Sequence, residues 1–180
     1  MNGAHAEAAA PSDWVRRWAH LVPASGSVLD VACGRGRHAL YFAERGRSVT
    51  AVDRDADALS GLPPGITPCV ADLENAPWPL PARTYGGVVV TNYLWRALWP
   101  ELLRSVEPGG VLICETFAIG QAAFGRPTNP DFLLRPGELL EVCRELQVVA
   151  YEDGVLDAPL RRVQRIAAVR APPQGAAPRL

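Results

Sequence analysis

Apolar and polar residues alternate along the chain in a way that predicts helices and strands in turn. Near the N-terminus, SDWVRRWAHLV has a helical period, with Ser12 or Asp13 as its N-cap and with Pro23 and Gly26 ending it. Short apolar runs then predict five strands, in SVLDVAC, SVTAVDRD, ITPCVADLE, GGVVVTNYL and GGVLICETF. Helical patterns separate or follow these strands, in RHALYFAERG, ADALSGL, LWRALWPELLRSVE and RPGELLEVCREL. Two more strands are predicted in QVVAYEDGVL and RRVQRIAAVRA.

Strands and helices that alternate with short links predict a mostly parallel sheet covered on both faces. The fold class is therefore α/β, a doubly wound, mostly parallel seven-stranded Rossmann-like sheet with an antiparallel closing strand. No linker or internal repeat divides the chain, so we expect a single domain over 12–170. The Ala/Pro/Gly-rich ends, 1–11 and 171–180, have no periodicity and are expected to be disordered tails.

Composition narrows the classes of partner. The 180 residues carry a net charge of -1, so we expect neither a nucleic acid nor a membrane as partner. A cytoplasmic monomer or homodimer is also expected. No apolar run approaches the ~20 residues that cross a bilayer. All 18 basic residues are Arg, which removes Lys as a catalytic base. The four cysteines lie 36, 45 and 29 residues apart, which predicts core positions and no metal site.

A glycine-rich turn, CGRGRH, follows the first strand. Gly34 and Gly36 let the chain turn tightly and let a ligand lie against its backbone, at the strand ends where ligands of such sheets bind. The helix beginning near Arg37 directs unpaired N–H groups to the same place, which favours an anionic group. With Ala39 the spacing also fits a dinucleotide motif, so NAD stays open, and an ordinary tight turn is the less favoured alternative for the glycines alone.

Acidic residues end three successive strands. Asp53 lies 17 residues after Gly36, where a carboxylate that binds ribose hydroxyls is expected, and Asp72 follows the third strand. Asp30 precedes the glycines, where its charge is unfavourable beside a pyrophosphate but favourable beside a sulfonium or an ammonium group. This charge favours S-adenosylmethionine over NAD as the cofactor.

With these features, the chain resembles the class I S-adenosylmethionine-dependent methyltransferases. VLDVACGRGRHALYFA is similar to their glycine-rich first motif, VTAVDRD to their second-strand acidic motif and CVADLENAPWPL to their adenine-contacting motif. YGGVVVTNYLWRAL and LLRSVEPGGVLICETF resemble their fourth- and fifth-strand segments. Within the class, the chain looks closest to small bacterial enzymes of the tellurite-resistance and small-molecule type.

The resemblance implies cofactor binding at ten positions: Asp30, Cys33, Gly34, Gly36, Arg37, Asp53, Arg54, Asp72, Leu73 and Asn92. The residues of the glycine turn would hold the methionine part of the cofactor, and Asp53 its ribose. Arg54, Asp72 and the backbone of Leu73 would contact the adenine. Asn92 and Tyr93 would contact the sulfonium end.

Methyl transfer from a sulfonium needs alignment more than a base. Tyr93, Glu115 and His38 are the candidate catalytic residues. Glu115 is equally explained as the partner of an arginine, and covering the helix start is the favoured interpretation of His38. The irregular segment 117–137 is expected to form the substrate wall, with Arg126 or Asn129 contacting the acceptor. A merely structural connection is the alternative for that segment.

The aromatic residues of the first helix also allow two interpretations. The spacing of Trp14 and Trp18 is typical of a core-facing helix, and a lid over the cofactor is the less favoured alternative.

The sequence thus predicts a methyltransferase that acts on a small-molecule acceptor. The alternative is a non-catalytic S-adenosylmethionine-binding partner or sensor module. An NAD-dependent oxidoreductase is a poor third, because no lysine is present for a hydride-transfer base. Thr91 to Leu94 lack the motif of the enzymes that methylate the amino groups of nucleic-acid bases.

Overall fold

The structure is a computed structural model that describes residues 10–172. His5 and most of the two predicted tails lie outside these residues. Seven strands are present: β1 Val28–Val31, β2 Val49–Asp53, β3 Ile66–Val70, β4 Tyr85–Thr91, β5 Val106–Phe117, β6 Gln147–Asp157 and β7 Leu160–Val169. They form one sheet in the order β3-β2-β1-β4-β5-β7-β6.

The pairing of the strands confirms the predicted fold class. Strands β1 to β5 are parallel, whereas β7 is antiparallel to both β5 and β6. In the register of β1, Asp30 lies between Ala51 of β2 and Val89 of β4. The carboxyl ends of β1, β2 and β4 therefore meet at one edge of the sheet, where the glycine turn leaves β1.

Residues 10–172 contain five α-helices. One precedes β1, α1 Asp13–Trp18, and four lie between strands: α2 Arg37–Ala43, α3 Ala56–Ser60, α4 Trp99–Arg104 and α5 Glu138–Val142. Ser12 caps α1 by accepting a hydrogen bond from the Trp14 N–H. The helix predicted from Leu94 onwards is wrong at its start, because a 3-10 turn precedes α4. Pro100 lies in the first turn of α4, the place where a helix tolerates a proline. Within residues 10–172, no helix has the length and apolar character needed to cross a membrane.

Buried side chains pack on both faces of the sheet, as a doubly wound fold requires. Trp14 is 1% exposed, and its indole N–H donates to the Ile166 carbonyl at 3.1 Å. Trp14 and Trp18 both pack against β-sheet residues, which confirms the core interpretation of that helix rather than the lid. The four cysteines form no disulfide, and three of them are buried: Cys33, Cys114 and Cys143.

The link between β3 and β4 contains no helix. Residues 71–84 instead form a chain of turns, with Leu73 and Leu80 buried against the sheet. The space beside the carboxyl ends of β2 and β3 therefore stays open, and the side chains that follow β3 border it.

Candidate functional site

Left-handed backbone conformations shape the turn after β1. Ala32, Gly34 and Gly36 have φ values of 51°, 55° and 74°. A Cβ on Gly36 would lie 2.4 Å from Leu62 Cδ2, so any other residue here would have to displace the Leu62 side chain as well as adopt a left-handed φ. The Gly34 N–H donates to Asp53 Oδ2 at 2.7 Å. Asp53 thus fastens the glycine turn to the end of β2.

A first cavity of about 190 Å³ opens beside this turn. Its lining residues are Ala32, Asp53, Arg54, Ala71, Asp72, Leu73, Glu74 and Tyr93. Three of these side chains are acidic and one is basic, so the cavity favours a ligand that carries positive charge. A cation such as a sulfonium with an α-ammonium group fits this charge, and a pyrophosphate does not.

Asp53 and Asp72 present carboxylates to the first cavity. Asp53 uses Oδ2 for Gly34 and Oδ1 for the Asp55 N–H at 2.9 Å, which leaves one further lone pair on each oxygen for a ribose hydroxyl. Hydrogen bonds from the Asn75 side chain and the Glu74 N–H lower the pKa of Asp72. Both places suit the parts of an adenosyl group that the sequence assigns to them.

A second cavity of about 380 Å³ adjoins the first. Its lining residues are Glu74, Asn92, Tyr93, Leu94, Thr116, Phe117, Arg126, Pro127 and Phe132. Glu74 and Tyr93 border both cavities, so the two spaces meet between these side chains. The Tyr93 hydroxyl is buried and has no hydrogen-bond partner within residues 10–172.

Asp30 and His38 lie beneath the glycine turn and line neither of these cavities. Asp30 is 1% exposed, and its Oδ2 accepts from the Ala39 N–H at 2.9 Å. Burial raises the pKa of Asp30 to about 7 and lowers that of His38 to about 3. His38 Nε2 accepts from the Ser12 N–H at 3.1 Å, which leaves it poorly placed to act as a catalytic base.

Glu115 is also enclosed. Its side chain is 1% exposed and accepts hydrogen bonds from the Arg161 and Arg165 guanidinium groups at 3.0 and 3.3 Å. The Ser12 hydroxyl donates to the same carboxylate at 3.1 Å. The structure therefore places Glu115 as the partner of arginines, the alternative left open by the sequence, and Glu115 lines neither cavity.

The remaining cofactor candidates occupy different parts of the turn and of β4. Cys33 is buried and Gly36 is the N-cap of α2, while the Arg37 guanidinium donates to the Ala10 carbonyl at 3.4 Å. None of the three borders the first cavity. Asn92 has a left-handed φ of 54° and borders the second cavity, where Arg161 donates to its side-chain oxygen at 3.3 Å.

The two substrate candidates are placed differently. Arg126 borders the second cavity. Asn129 does not, and its Oδ1 accepts from the Asp131 N–H at 3.0 Å, a capping contact within its own turn. Sequence reasoning overlooked Glu74 and Phe132 as lining residues. The signal for Glu74 was present, because it stands two residues after Asp72 in the same motif.

Part of the chain matches a known protein family, and its fold matches solved structures. Residues 28–110, which contain β1 to β4, match the model of a methyltransferase domain family. The fold is similar to TehB from Haemophilus influenzae, with a TM-score of 0.70 and 20% identity over 91% of this chain and 63% of TehB. This chain thus spans less than two thirds of the length of TehB. No curated protein sequence gives a significant match.

Two further solved structures share the fold over nearly their whole length. The glycopeptide N-methyltransferase MtfA, in complex with S-adenosyl-L-methionine, matches with a TM-score of 0.61 and 21% identity over 94% of this chain and 99% of MtfA. The CcbJ methyltransferase from Streptomyces caelestis matches with a TM-score of 0.62 and 17% identity over 90% of this chain and 91% of CcbJ.

The family match, the sheet order and the charge of the first cavity agree with the cofactor that the sequence motifs predict. The glycine turn and both cavity aspartates, Asp53 and Asp72, lie inside the residues that match the family. Residues 28–110, just under half of the chain, thus match a methyltransferase domain family, and the described residues have the fold of the similar methyltransferase structures.

Proposed function

We propose that this protein transfers the methyl group of S-adenosylmethionine to a small-molecule acceptor in the second cavity. The observation that carries this proposal is the meeting of the two cavities at Glu74 and Tyr93, at the carboxyl ends of the parallel strands. A donor in one cavity and an acceptor in the other would face each other across these two side chains.

The first cavity would hold the adenosyl part of the cofactor. Asp53 would accept hydrogen bonds from the ribose hydroxyls, while Arg54, Asp72 and Leu73 would border the adenine. When bound, S-adenosylmethionine supplies a methyl group already activated on a sulfonium, so the protein's task is to align the acceptor and exclude water. The carboxylates of Asp53, Asp72 and Glu74 stabilise the positive charge of the bound cofactor.

The second cavity suits a small acceptor. Its volume of about 380 Å³ lies within the range of small-molecule sites. Leu94, Phe117 and Phe132 give it largely apolar walls, and Arg126 offers a cationic contact at its rim. The glycopeptide acceptor named for the similar enzyme MtfA supports a non-protein substrate for this fold.

Calorimetric binding of S-adenosylmethionine and of its demethylated product, S-adenosylhomocysteine, tests the proposal. Wild-type protein should bind both, and Asp53→Ala should weaken binding about tenfold or more through loss of the ribose contacts. Asp57→Ala is the matched control, because it removes an exposed acidic side chain outside the cavity.

Turnover then separates the enzyme from the non-catalytic alternative. Release of S-adenosylhomocysteine in the presence of small-molecule acceptors supports the proposed function. Cofactor binding without release on any acceptor would instead support a partner or sensor module. Absence of binding at millimolar cofactor would contradict both.

A further inference from the structure

An acidic side chain stands where the two cavities meet. Glu74 is half-buried and borders both cavities, and its carboxylate has no ion pair among residues 10–172. The neighbouring Tyr93 hydroxyl is buried, and its burial together with the nearby charge of Glu74 raises the pKa of Tyr93. Among these residues, no donor within hydrogen-bond distance satisfies this hydroxyl, and a buried polar group of that kind costs free energy, so the Tyr93 hydroxyl beside the Glu74 carboxylate is placed for a ligand that supplies a hydrogen bond.

The charge of Glu74 discriminates between classes of acceptor. Methyl transfer carries a positive charge from the donor sulfur to the acceptor atom. A neutral amine becomes a cation during this transfer, and a carboxylate beside it stabilises the charge as it develops. A phenolate, thiolate or carboxylate acceptor would instead bring negative charge next to Glu74, which is repulsive.

The other charged group of the second cavity does not alter this preference. Arg126 borders the second cavity but not the first, so of the two charged residues that line the second cavity only Glu74 also meets the first. Arg54 and the two aspartates border the first cavity, where the cofactor would lie. Glu74 is therefore the only charged side chain, among residues 10–172, that lines both cavities.

We propose that the acceptor is a small amine with an apolar body, which Glu74 and Tyr93 orient and which is methylated on its nitrogen. This inference rests on the proposed function. Leu94, Phe117 and Phe132 contact the apolar body, and the amine N–H groups donate to the Glu74 carboxylate and the Tyr93 oxygen. The nitrogen lone pair, left free by these contacts, points to the donor.

The transfer balances without a further reactant. The nitrogen lone pair of the neutral amine forms the new N–C bond while the C–S bond of the donor breaks, and the electron pair of that bond stays on sulfur. The product is an N-methylammonium cation, whose charge the Glu74 carboxylate offsets. Its extra proton passes to water when the product leaves.

The test uses the full-length protein saturated with S-adenosylhomocysteine and two sets of probes with matched skeletons. Benzylamine, benzyl alcohol and benzyl mercaptan form one set, and the phenethyl analogues form the other. Calorimetry should show that each amine binds about tenfold more tightly than its alcohol or thiol, as expected for one charge-assisted hydrogen bond. When S-adenosylmethionine replaces S-adenosylhomocysteine, mass spectrometry should detect N-methylated amines.

Two variants assign the preference to Glu74. Glu74→Gln keeps the size of the side chain but removes its charge, so it should abolish the preference for the amine while still binding S-adenosylhomocysteine. Glu145→Gln, at an exposed position outside both cavities, should leave the preference unchanged.

The outcomes separate this inference from the proposed function. If the protein does not bind S-adenosylhomocysteine, the proposed function fails and the inference fails with it. If S-adenosylhomocysteine binds but no amine binds or reacts, the amine proposal alone is wrong. Preferred methylation of an alcohol or thiol, or an amine preference that survives Glu74→Gln, would overturn it as well.

Discussion

Arg96 and Glu138 form a two-pronged ion pair, with Nε donating to Oε1 at 2.7 Å and Nη2 donating to Oε2 at 2.9 Å. The same guanidinium donates to the backbone carbonyls of Asp131 and Leu133 at 2.7 and 2.8 Å. Phe132, which borders the second cavity, lies between these two residues. Arg96 thus ties the outer wall of the second cavity to the segment after β4.

Arg96→Ala should lower the free energy of unfolding by about 3 kcal/mol, because it leaves the buried Glu138 with only Arg135 as a partner. Chemical denaturation measures this loss. Arg104→Ala is the matched control, since the ion pair of Arg104 with Glu101 is on the surface and should be worth at most about 1 kcal/mol. Equal losses in the two variants would contradict the role assigned to Arg96.

Glu115→Gln should destabilise the protein by about 3 kcal/mol, because Arg161 and Arg165 lose the charge of their buried partner. Below its unfolding transition, the variant should keep methyl transfer within a few-fold of wild type. Glu101→Gln serves as a surface control. Large loss of turnover with unchanged stability would restore Glu115 as a catalytic residue.

Gly36→Ala and Gly46→Ala separate conformational strain from steric overlap. Both glycines have nearly the same φ, 74° and 75°, so each variant should lose about 1 kcal/mol to the left-handed conformation. Only the new Cβ at Gly36 would overlap Leu62, which must change rotamer, at a further cost of about 1 kcal/mol. Thermal unfolding compares the two, and equal losses would show that Leu62 adapts freely.

Asp30 and His38 should make opposite contributions to the pH dependence of stability. The pKa of Asp30 is raised to about 7, so the folded protein keeps a proton that the unfolded chain has released, and stability falls as pH rises from about 4 to 7. The pKa of His38 is lowered to about 3, so only the unfolded chain takes up a proton below its ordinary pKa of 6.5. That contribution makes stability fall as pH drops from 6.5 towards 3.

Single variants should therefore show how much Asp30 and His38 each contribute to the pH dependence of stability. Relative to wild type, the stability of Asp30→Asn should rise more steeply between pH ~4 and ~7, and that of His38→Gln should decline across the same range. Urea denaturation at several pH values measures both slopes. Asp57→Asn controls for loss of a surface carboxylate, and parallel profiles for all four proteins would contradict the pKa shifts.

Arg126 should favour acceptors that carry an anionic group remote from the nitrogen. In the presence of S-adenosylhomocysteine, para-(aminomethyl)benzoate should bind up to about fivefold more tightly than benzylamine, and Arg126→Ala should remove that gain. Asn129→Ala should leave it intact, because the Asn129 side chain caps its own turn. A gain that is lost in Asn129→Ala and kept in Arg126→Ala would reverse this assignment.

The alternation of strands and helices was enough to predict the sheet and the edge at which the two cavities lie. It also placed Asp53 and Asp72 correctly at the ends of β2 and β3, since the ends of parallel strands converge at one edge. Position at a strand end does not, however, decide where a side chain points. Asp30 also lies near a strand end, yet it turns beneath α2 and bonds to Ala39.

Contacts between distant segments explain the other differences. Glu115 acquires its arginines from β7, 46 and 50 residues later, and that pairing depends on the antiparallel register of β5 and β7. Glu74 borders the cavities because the link from β3 to β4 forms turns instead of a helix. A link without periodicity carries no signal in the sequence for the direction of its side chains.

The two cavities draw on separate stretches of the chain. Apart from Tyr93, the first is lined by residues 32–74, and apart from Glu74, the second is lined by residues 92–132. Under the proposed function, changes in residues 94–132 would alter which compounds are accepted while donor recognition stays intact. New specificities can therefore evolve, or be engineered, by exchanging one contiguous piece of sequence.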